Sequence, residues 1–501
     1  MTAGGLFAAK GRKAHLLTCS PLRGIMQARN PKGGKTVRTL LSRLNRHRSE
    51  ILVSGLRVLT YLGLAALFFG LMGIRNWQLR HLSRTLATTL LTWIAMSVAM
   101  VAVYGGYDVG RKKSRPITSS MSLGNLITCL VTYLQLEIMN VNPANNQHLT
   151  LFGRDILWLL LCVILQTAFI YGMVRAGNWL YFRLHLPRAC LLIHDEATRV
   201  ETVEEKIGRY RLQWHLAETA LWTEPDLERR IEQADVVFIA GVPDSARLRL
   251  LKICYDQRRD VVCQAELQDI MLSAAQPLIV DDALFLEMDY HKMTLFQRIV
   301  KRVTDIAVSA LVLLLLWPLM GLIALSILLD DGAPVIFRQE RMTGGGHTFK
   351  IRKFRTMRRG SGDVSCEEDD TRVTRVGRIL RRARLDELPQ FWNILIGDMT
   401  LVGPRPEMLA NVEKYKSALP SFVYREKMKA GLTGYAQIEG RYNTSPEDKL
   451  MLDLMYIERF SLWNDIRLLF RTLTVFFKKD SAAPFAKAEE APSGREDEAG
   501  G

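Results

Sequence analysis

Long uncharged apolar blocks alternate with strongly charged stretches along this chain, and the blocks come first. Four of them, at 51–74, 85–104, 119–139 and 156–174, are each close to the roughly 20 residues an α-helix needs to cross hydrocarbon. The second reads TLATTLLTWIAMSVAMVAVY without a charge. Arg57 and Glu137 lie near block ends, where a side chain reaches the headgroups. Four such blocks within 51–174 predict a bundle of transmembrane helices rather than buried core helices. A fifth run, IAVSALVLLLLWPLMGLIALSILL at 306–329, is also long enough to span. Trp317-Pro318 sits at its middle. A central proline removes one helix hydrogen bond and clashes with the preceding turn, so a kink or break is expected there.

Between these runs the pattern changes. In 188–290, the segments ACLLI (189–193), DVVFIAG (235–241) and DVVCQ (260–264) read as short buried strands. EPDLERRIEQ and DSARLRLLKICYDQ read as the intervening helices. Alternating strands and helices predict a parallel sheet, a Rossmann-like α/β domain. A nucleotide site of that type needs a glycine turn that lets backbone approach a pyrophosphate. Only Gly208 and Gly241 occur in the span and no GxGxxG exists, so a structural or regulatory role is expected.

Charge settles orientation. Of 501 residues with net charge +16, the first 49 hold no Asp or Glu but carry basic residues from Lys10 to Arg48. Residues 1–50 are therefore expected to be a flexible basic arm on anionic lipid. A nucleic-acid tail or an organellar transit peptide fits less well, because a membrane segment follows at once. Arg111, Lys112, Lys113 and Arg115 follow the second block, and Arg175, Arg183 and Arg188 follow the fourth. Both ends of the bundle are thus expected in the cytoplasm. The short loop with Arg75, Arg80 and Arg84 runs against that assignment. The segment after residue 331 is again rich in Arg and Lys. The 306–329 run is therefore expected to be re-entrant, dipping in, breaking at Trp317-Pro318 and returning to one face. The seven cysteines form no C-x-x-C pair, so neither a zinc site nor a disulfide framework is expected. The tail 481–501 is small, polar and charged and reads as disordered.

The candidate chemistry lies in the C-terminal part. In RVTRVGRILRRARLDELPQFWNILIGDM (372–399), Arg372, Arg375, Arg378, Arg381 and Arg382 recur at helical spacing, with Val373, Val376, Ile379 and Leu380 on another face. That is a basic amphipathic helix suited to a membrane surface. Asp386-Glu387 follow. They could cap a new helix, or attack phosphorus and hold Mg²⁺, with arginines offsetting charge on a transferring group. Upstream, Gly344-Gly345-Gly346 joins two basic segments, the second carrying Lys350, Arg352, Lys353 and Arg355; by itself it reads as a hairpin turn. Downstream, Gly403-Pro404-Arg405-Pro406 is a rigid turn presenting one arginine, since each proline fixes φ. GLTGYAQIEGR at 431–441 adds glycine turns and Arg441.

These strings together resemble a known family. KRVTD at 301–305, the Pro318-centred apolar run, KFRTM at 353–357, LDELPQ at 385–390, LVGPRP at 401–406 and GLTGYAQIEGR occur in order. The region is similar to the bacterial sugar transferase family of monotopic polyprenyl phosphate phosphoglycosyl transferases. The whole chain resembles the family's large form. The resemblance implies a membrane α-helical bundle (51–174), a Rossmann-like α/β domain (188–290) and a mixed α/β monotopic catalytic domain with a re-entrant membrane helix (298–480). It implies transfer of a sugar-1-phosphate from a UDP-sugar to undecaprenyl phosphate with release of UMP, at the bacterial inner membrane with the catalytic domain facing the cytoplasm. Asp386 matches the family's nucleophile and lies near Mg²⁺, and Glu387 matches its partner. Lys353, Arg355, Arg381, Pro404, Arg405, Pro406 and Arg441 match phosphate- or substrate-binding positions. Trp317 and Pro318 match the re-entrant hinge, although a Ser often precedes the proline. Lys301, Arg302 and Asp305 match anchors at the membrane interface. The implied partners are the UDP-sugar, undecaprenyl phosphate and membrane lipids, with no nucleic acid; a homo-oligomer is compatible with the sequence, which does not reveal the oligomeric state. Glucose, galactose or an N-acetylhexosamine fits as the sugar. A non-catalytic scaffold for glycan assembly is the alternative. A transporter predicts inverted repeats, and none are visible.

Overall fold

The computed structural model of the chain describes residues 34–110, 112–141, 155–288, 293–360, 372–440 and 445–475, with the backbone alone over 34–50 and 474–475. The expectations for most of the basic arm, for the tail 481–501 and for Arg441 lie outside the described residues. The chain divides into two compact units, Met1–Gly55 and Leu56–Gly501.

The four apolar blocks lie within α1 (Gly34–Arg75), α2 (Arg84–Tyr104), α3 (Ser114–Asn140) and α4 (Asp155–Leu184). Helix α2 packs on α3, and α3 on α4. Leu62, Leu91, Val98 and Leu157 face outward. The polar groups are inside: Asn125 donates to the buried Gln166 carboxamide at 2.9 Å, and Gln166 donates to the Leu64 carbonyl at 2.8 Å. Apolar outside and hydrogen-bonded polar inside is the arrangement that hydrocarbon surroundings favour. The loop that ran against the charge bias has a local explanation. Arg75 pairs with Asp155 at 2.9 Å, and Arg80 donates to the Gly73 carbonyl at the end of α1. Two of its charges are thus satisfied by protein.

The next region contains β1 (Arg188–His194), α5 (Val200–Gly208), β2 (Trp214–Leu221), α6 (Leu227–Gln233), β3 (Val236–Ala240), α7 (Asp244–Asp256), β4 (Asp260–Cys263) and α8 (Leu267–Leu272). The four strands form one parallel sheet in the order β2-β1-β3-β4. Alternate residues of β1 feed two cores. Cys190 and Leu192 pack with Ile207 of α5, whereas Leu191 and Ile193 pack with Ile231 and Leu250 of α6 and α7. Each fully buried aliphatic side chain contributes about 1.5–3 kcal/mol. At the carboxyl ends of the strands, Thr198 reaches the Ala240 carbonyl and Trp222 donates to Asp195 at 2.8 Å. A hairpin of β5 (Gln276–Val280) and β6 (Ala283–Glu287) follows, exposed along its whole length.

Helix α9 (Leu295–Asp331) contains Pro318. The backbone stays helical through Trp317-Pro318 despite the hydrogen bond that Pro318 cannot make, so the chain does not break there into two separate helices. Both ends of α9 are held by the same C-terminal region. Arg302 donates to the Ile394 and Leu395 carbonyls at 2.7 and 2.8 Å. At the other end, Ile323 and Ile327 share a core with Phe354, Leu380 and Leu388, and Arg355 donates to the Asp331 carbonyl at 2.9 Å.

That region is built from the antiparallel pair β7 (Ile336–Met342) and β8 (Thr348–Phe354), joined through the Gly344–Gly346 turn. Then come α10 (Arg375–Arg382), a 3-10 turn (Leu385–Glu387), α11 (Gln390–Ile396), β9 (Thr400–Val402), α12 (Leu409–Ala418) and a 3-10 segment (Pro420–Lys427). The chain continues through β10 (Gly431–Thr433), parallel to β9, and α13 (Tyr435–Ile438), α14 (Pro446–Glu458) and α15 (Leu462–Val475). Its core includes Ile351, Ile394, Leu401, Phe422, Leu454 and Leu468. Helix α15 joins this region to the bundle: Arg467 donates to the Ala102 carbonyl at 3.1 Å, and Phe470 meets Tyr104 edge to face.

Candidate active site

The site grows from the edge of the β7–β8 pair. Helix α10 starts at Thr374, whose hydroxyl accepts from the Gly377 amide at 2.9 Å. Val376 and Leu380 turn into the core, while Arg375, Arg378, Ile379 and Arg382 face out. The helix lies flat on the end of β8: a Cβ at Gly377 would sit 2.1 Å from the Thr356 carbonyl oxygen. Arg381 donates to the Thr356 hydroxyl at 2.8 Å. Arg384 then adopts φ of 51°, an uncommon conformation for a non-glycine residue. The chain turns there into the Leu385–Glu387 turn.

The two carboxylates emerge from that turn. Helix α11 begins after Pro389 without a side-chain cap, so neither Asp386 nor Glu387 serves as its cap. Glu387 instead lies 3.5 Å from Lys353 and 4.0 Å from Arg405. Burial pushes the Glu387 carboxyl up, but Lys353, Arg405 and Arg384 outweigh it and hold it below the usual range. Asp386 behaves oppositely. Burial and the adjacent Glu387 charge push it up to about 6, against the pull of Lys353 and Arg381. Burial lowers the Lys353 ammonium, with Glu387 opposing. Neighbouring carboxylates with divergent affinities for protons are suited to different roles.

Arg405 reaches this cluster from a braced turn. Pro404 and Pro406 are buried and Arg405 between them is exposed. The Gly403 amide donates to the Thr433 carbonyl and the Gly431 amide to the Pro404 carbonyl, each at 2.8 Å. A Cβ on Gly431 would fall 2.0 Å from the Gly403 nitrogen, so the close pairing of β9 with β10 needs that glycine. Arg425 donates to the Arg405 carbonyl at 2.6 Å and pairs with the buried Asp453 at 2.6 Å.

The structure brings together Asp386, Glu387, Lys353, Arg381 and Arg405. Other expected site residues lie elsewhere. Arg355, expected to bind phosphate, is buried and committed to α9 through the Asp331 carboxylate at 3.2 Å and the Asp331 and Gly332 carbonyls. Lys301 and Asp305, expected as anchors at the membrane interface, are buried inside the domain instead. Lys301 pairs with Asp465 at 2.5 Å and donates to the Val402 carbonyl at 2.9 Å. Asp305 accepts from the Thr400 hydroxyl at 2.8 Å and the Leu401 amide at 3.0 Å. A charge stripped of water needs such partners, and these tie α9 to the strand that leads into the Arg405 turn. Arg302 likewise bonds to protein carbonyls.

Residue reading missed some of the scaffold. Fully buried Asn393 accepts from the Arg352 amide and donates to the Lys350 carbonyl and to Asp398, fixing β8 to α11. Thr356 orients Arg381. Glu407, next after the Pro404–Pro406 turn, is buried and pairs with Lys449 at 3.4 Å. A polar residue inside an otherwise apolar helix was the available signal for Asn393; no local signal marks the other two.

Comparison with known proteins places this geometry. The Bacterial sugar transferase family model matches residues 296–479. A UDP-glucose:undecaprenyl-phosphate glucose-1-phosphate transferase of Escherichia coli (strain K12) is 44% identical over 187 residues, 36% of this chain and 40% of that protein. A protein of the same description from Caulobacter vibrioides is 43% identical over 190 residues, 36% of this chain and 71% of that protein. A UDP-N-acetylgalactosamine-undecaprenyl-phosphate N-acetylgalactosaminephosphotransferase of Aeromonas hydrophila is 40% identical over 180 residues, 35% of this chain and 43% of that protein. The match thus spans less than half the length of the first and third of these relatives. With the shared residues coinciding with the segment that carries the two carboxylates and their cations, the chain belongs to the bacterial sugar transferase family.

Proposed function

We propose that the protein is a phosphoglycosyl transferase that moves a sugar-1-phosphate from a UDP-sugar to undecaprenyl phosphate and releases UMP, with Asp386 as nucleophile. The observation that carries this reading is the Asp386–Glu387 pair, which caps no following helix and lies among Lys353, Arg381 and Arg405. In the first step an Asp386 oxygen bonds to the β-phosphorus of the donor and the bond to the bridging oxygen breaks, so UMP leaves. In the second, an oxygen of undecaprenyl phosphate bonds to that phosphorus and the aspartyl–phosphorus bond breaks. The lipid then carries the sugar diphosphate and the carboxylate is restored. Lys353 and Arg405 hold Glu387 ionised and offset phosphate charge, and Arg381, oriented by Thr356, does the same beside Asp386.

A magnesium ion fits the donor set. Among the described residues there is no group of three or more His, Cys, Asp or Glu side chains with metal-ligand spacing. Mg²⁺ bound through one or two carboxylates, water and substrate phosphates needs no such group. Asp386 is the residue that would hold it, and when bound it neutralises diphosphate charge.

The membrane side of the proposal is a re-entrant α9, a Rossmann-like domain over 188–290 and a catalytic domain at the cytoplasmic face of the inner membrane. Re-entry is supported by the attachment of both ends of α9 to one domain. A straight helix of 37 residues extends about 55 Å. Residues Leu388 and Ile394, on which opposite ends of α9 rest, are one short helix apart. A bend at Pro318 reconciles the two. The relatives' names support glucose or an N-acetylhexosamine as the sugar, in the first membrane step of exopolysaccharide, capsule or O-antigen assembly. The test is UMP release by the full chain in lipid nanodiscs with undecaprenyl phosphate and a panel of UDP-sugars. The wild type should release UMP with at least one donor and Asp386→Asn with none. A wild type silent with every donor would favour a non-catalytic scaffold.

A further inference from the structure

Arg384 differs from the other cations of the site. Its backbone has φ 51° and ψ 22°, the left-handed region that glycine enters freely and a bulky side chain seldom adopts. This conformation closes the turn that carries the two carboxylates. The Arg384 amide donates to the Arg381 carbonyl at 3.2 Å, and the Glu387 amide to the Arg384 carbonyl at 3.3 Å. Glycine or asparagine would make the same turn with less strain, so an arginine held there points to a use for its side chain. That side chain is half-buried, and its charge acts on Glu387. Lys353 and Arg405 face Glu387, and Arg381 bonds to Thr356. Among the described residues, the Arg384 guanidinium has no hydrogen-bond or ion-pair partner.

We infer that Arg384 binds the phosphate of the lipid acceptor. The inference rests on the proposed transfer to undecaprenyl phosphate. The place of Arg384 in the fold favours the acceptor over the donor. Leu385, next in the chain, joins the core that includes Leu316 and Met320, on either side of Trp317-Pro318 in α9. Before Arg384, α10 turns Arg375, Arg378, Arg382 and the exposed Ile379 outward, a basic and apolar face suited to a membrane surface. Arg384 thus stands between that face and the two carboxylates, on the path of a phosphate anchored in lipid. The water-soluble donor is met by Lys353 and Arg405, which approach from β8 and from the Pro404–Pro406 turn. A guanidinium takes a phosphate monoester through two parallel N–H···O bonds, and that of Arg384 has both to give. The acceptor enters only the second step, so the first step does not need this side chain.

The test uses the full chain in nanodiscs with the UDP-sugar that the wild type turns over best. In the two-step scheme, kcat/KM for the donor reports the first step and kcat/KM for undecaprenyl phosphate the second. Arg384→Gly keeps the turn and deletes the side chain. It should lower kcat/KM for undecaprenyl phosphate about tenfold to a hundredfold, the loss of a charge-assisted hydrogen bond, and leave kcat/KM for the donor within about threefold. Arg384→Lys should recover part of the loss. Arg384→Asn, which also tolerates the left-handed turn, should match Arg384→Gly and takes its place if the glycine variant does not fold. The effect should be the same in phosphatidylcholine and phosphatidylglycerol nanodiscs. An unchanged value for the acceptor, an equal loss for donor and acceptor, or an effect confined to phosphatidylglycerol, which would make Arg384 a contact for phospholipid headgroups, overturns the inference, while wild-type turnover leaves the proposed function standing. A wild type that releases no UMP from any UDP-sugar overturns both.

Discussion

Replacing Lys301 by Met tests how the base of α9 is tied to the active-site turn. Lys301 and Asp465 are each 8% exposed, and their charged groups meet at 2.5 Å. Tyr456 donates to Asp465 at 2.7 Å, and the Lys301 ammonium also donates to the Val402 carbonyl. Burial pushes the Asp465 carboxyl up even with Lys301 pulling it down. Removing the ammonium leaves a buried carboxylate without its counter-charge, which costs about 3–5 kcal/mol. At about 2–4 °C per kcal/mol for a domain of this size, the apparent Tm should fall by roughly 6–20 °C. Removing both charges is far less costly, because neither is left unpaired. Lys301→Met/Asp465→Leu should therefore recover about 2 kcal/mol or more relative to the sum of the single variants. The assay is intrinsic-fluorescence melting of the wild type, both singles and the double in nanodiscs, with UMP release in parallel. A single variant within about 1 kcal/mol of wild type, or a double no better than additive, would refute the reasoning.

Two further perturbations probe the site. Because Asp386 is raised to about 6 by burial and Glu387, its ionised, nucleophilic form is lost on acidification, so UMP release should fall as pH drops through about 6. Glu387→Gln removes the adjacent negative charge and should move that limb to lower pH; an unmoved limb excludes Asp386 as the titrating group. The same shift opposes folding above about pH 6 and vanishes below about pH 4. Asp386→Asn should thus raise the apparent Tm at pH 8 but not at pH 4. Gly377→Ala puts a methyl 2.1 Å from the Thr356 carbonyl oxygen. It should displace α10 and Arg381, lowering stability by about 1–3 kcal/mol and kcat/KM by about tenfold. Wild-type kinetics would show that α10 need not lie so close to β8.

The elements most readable from sequence were those with a strong single period. The four apolar blocks lie in α1–α4 because a helix satisfies its polar backbone groups within one segment, which a continuous apolar run of that length needs in hydrocarbon. The buried strands ACLLI and DVVFIAG lie in β1 and β3. WHLAETAL was missed as β2 because an edge strand exposed at half its positions and buried at one carries little apolar pattern. The hairpin QPLIV–ALFLE was missed as well. Asp386 and Glu387 were legible as a pair, but their distinct environments were not, since Lys353 and Arg405 reach Glu387 only through the fold. Lys301, Asp305 and Arg355 show the opposite failure. Charged residues flanking an apolar run look like interfacial anchors or ligands for phosphate, and only their buried partners Asp465, Thr400 and Asp331 reveal structural roles.

The most direct measurement is intact-peptide mass spectrometry of the wild-type chain, quenched in acid after mixing with UDP-sugar in the absence of undecaprenyl phosphate. The account predicts a mass increase equal to the donor's sugar phosphate on the peptide bearing Asp386, discharged when the lipid phosphate is added and absent in Asp386→Asn. An unmodified polypeptide in a preparation that releases UMP once the lipid phosphate is supplied, or an adduct on any other side chain, would contradict it.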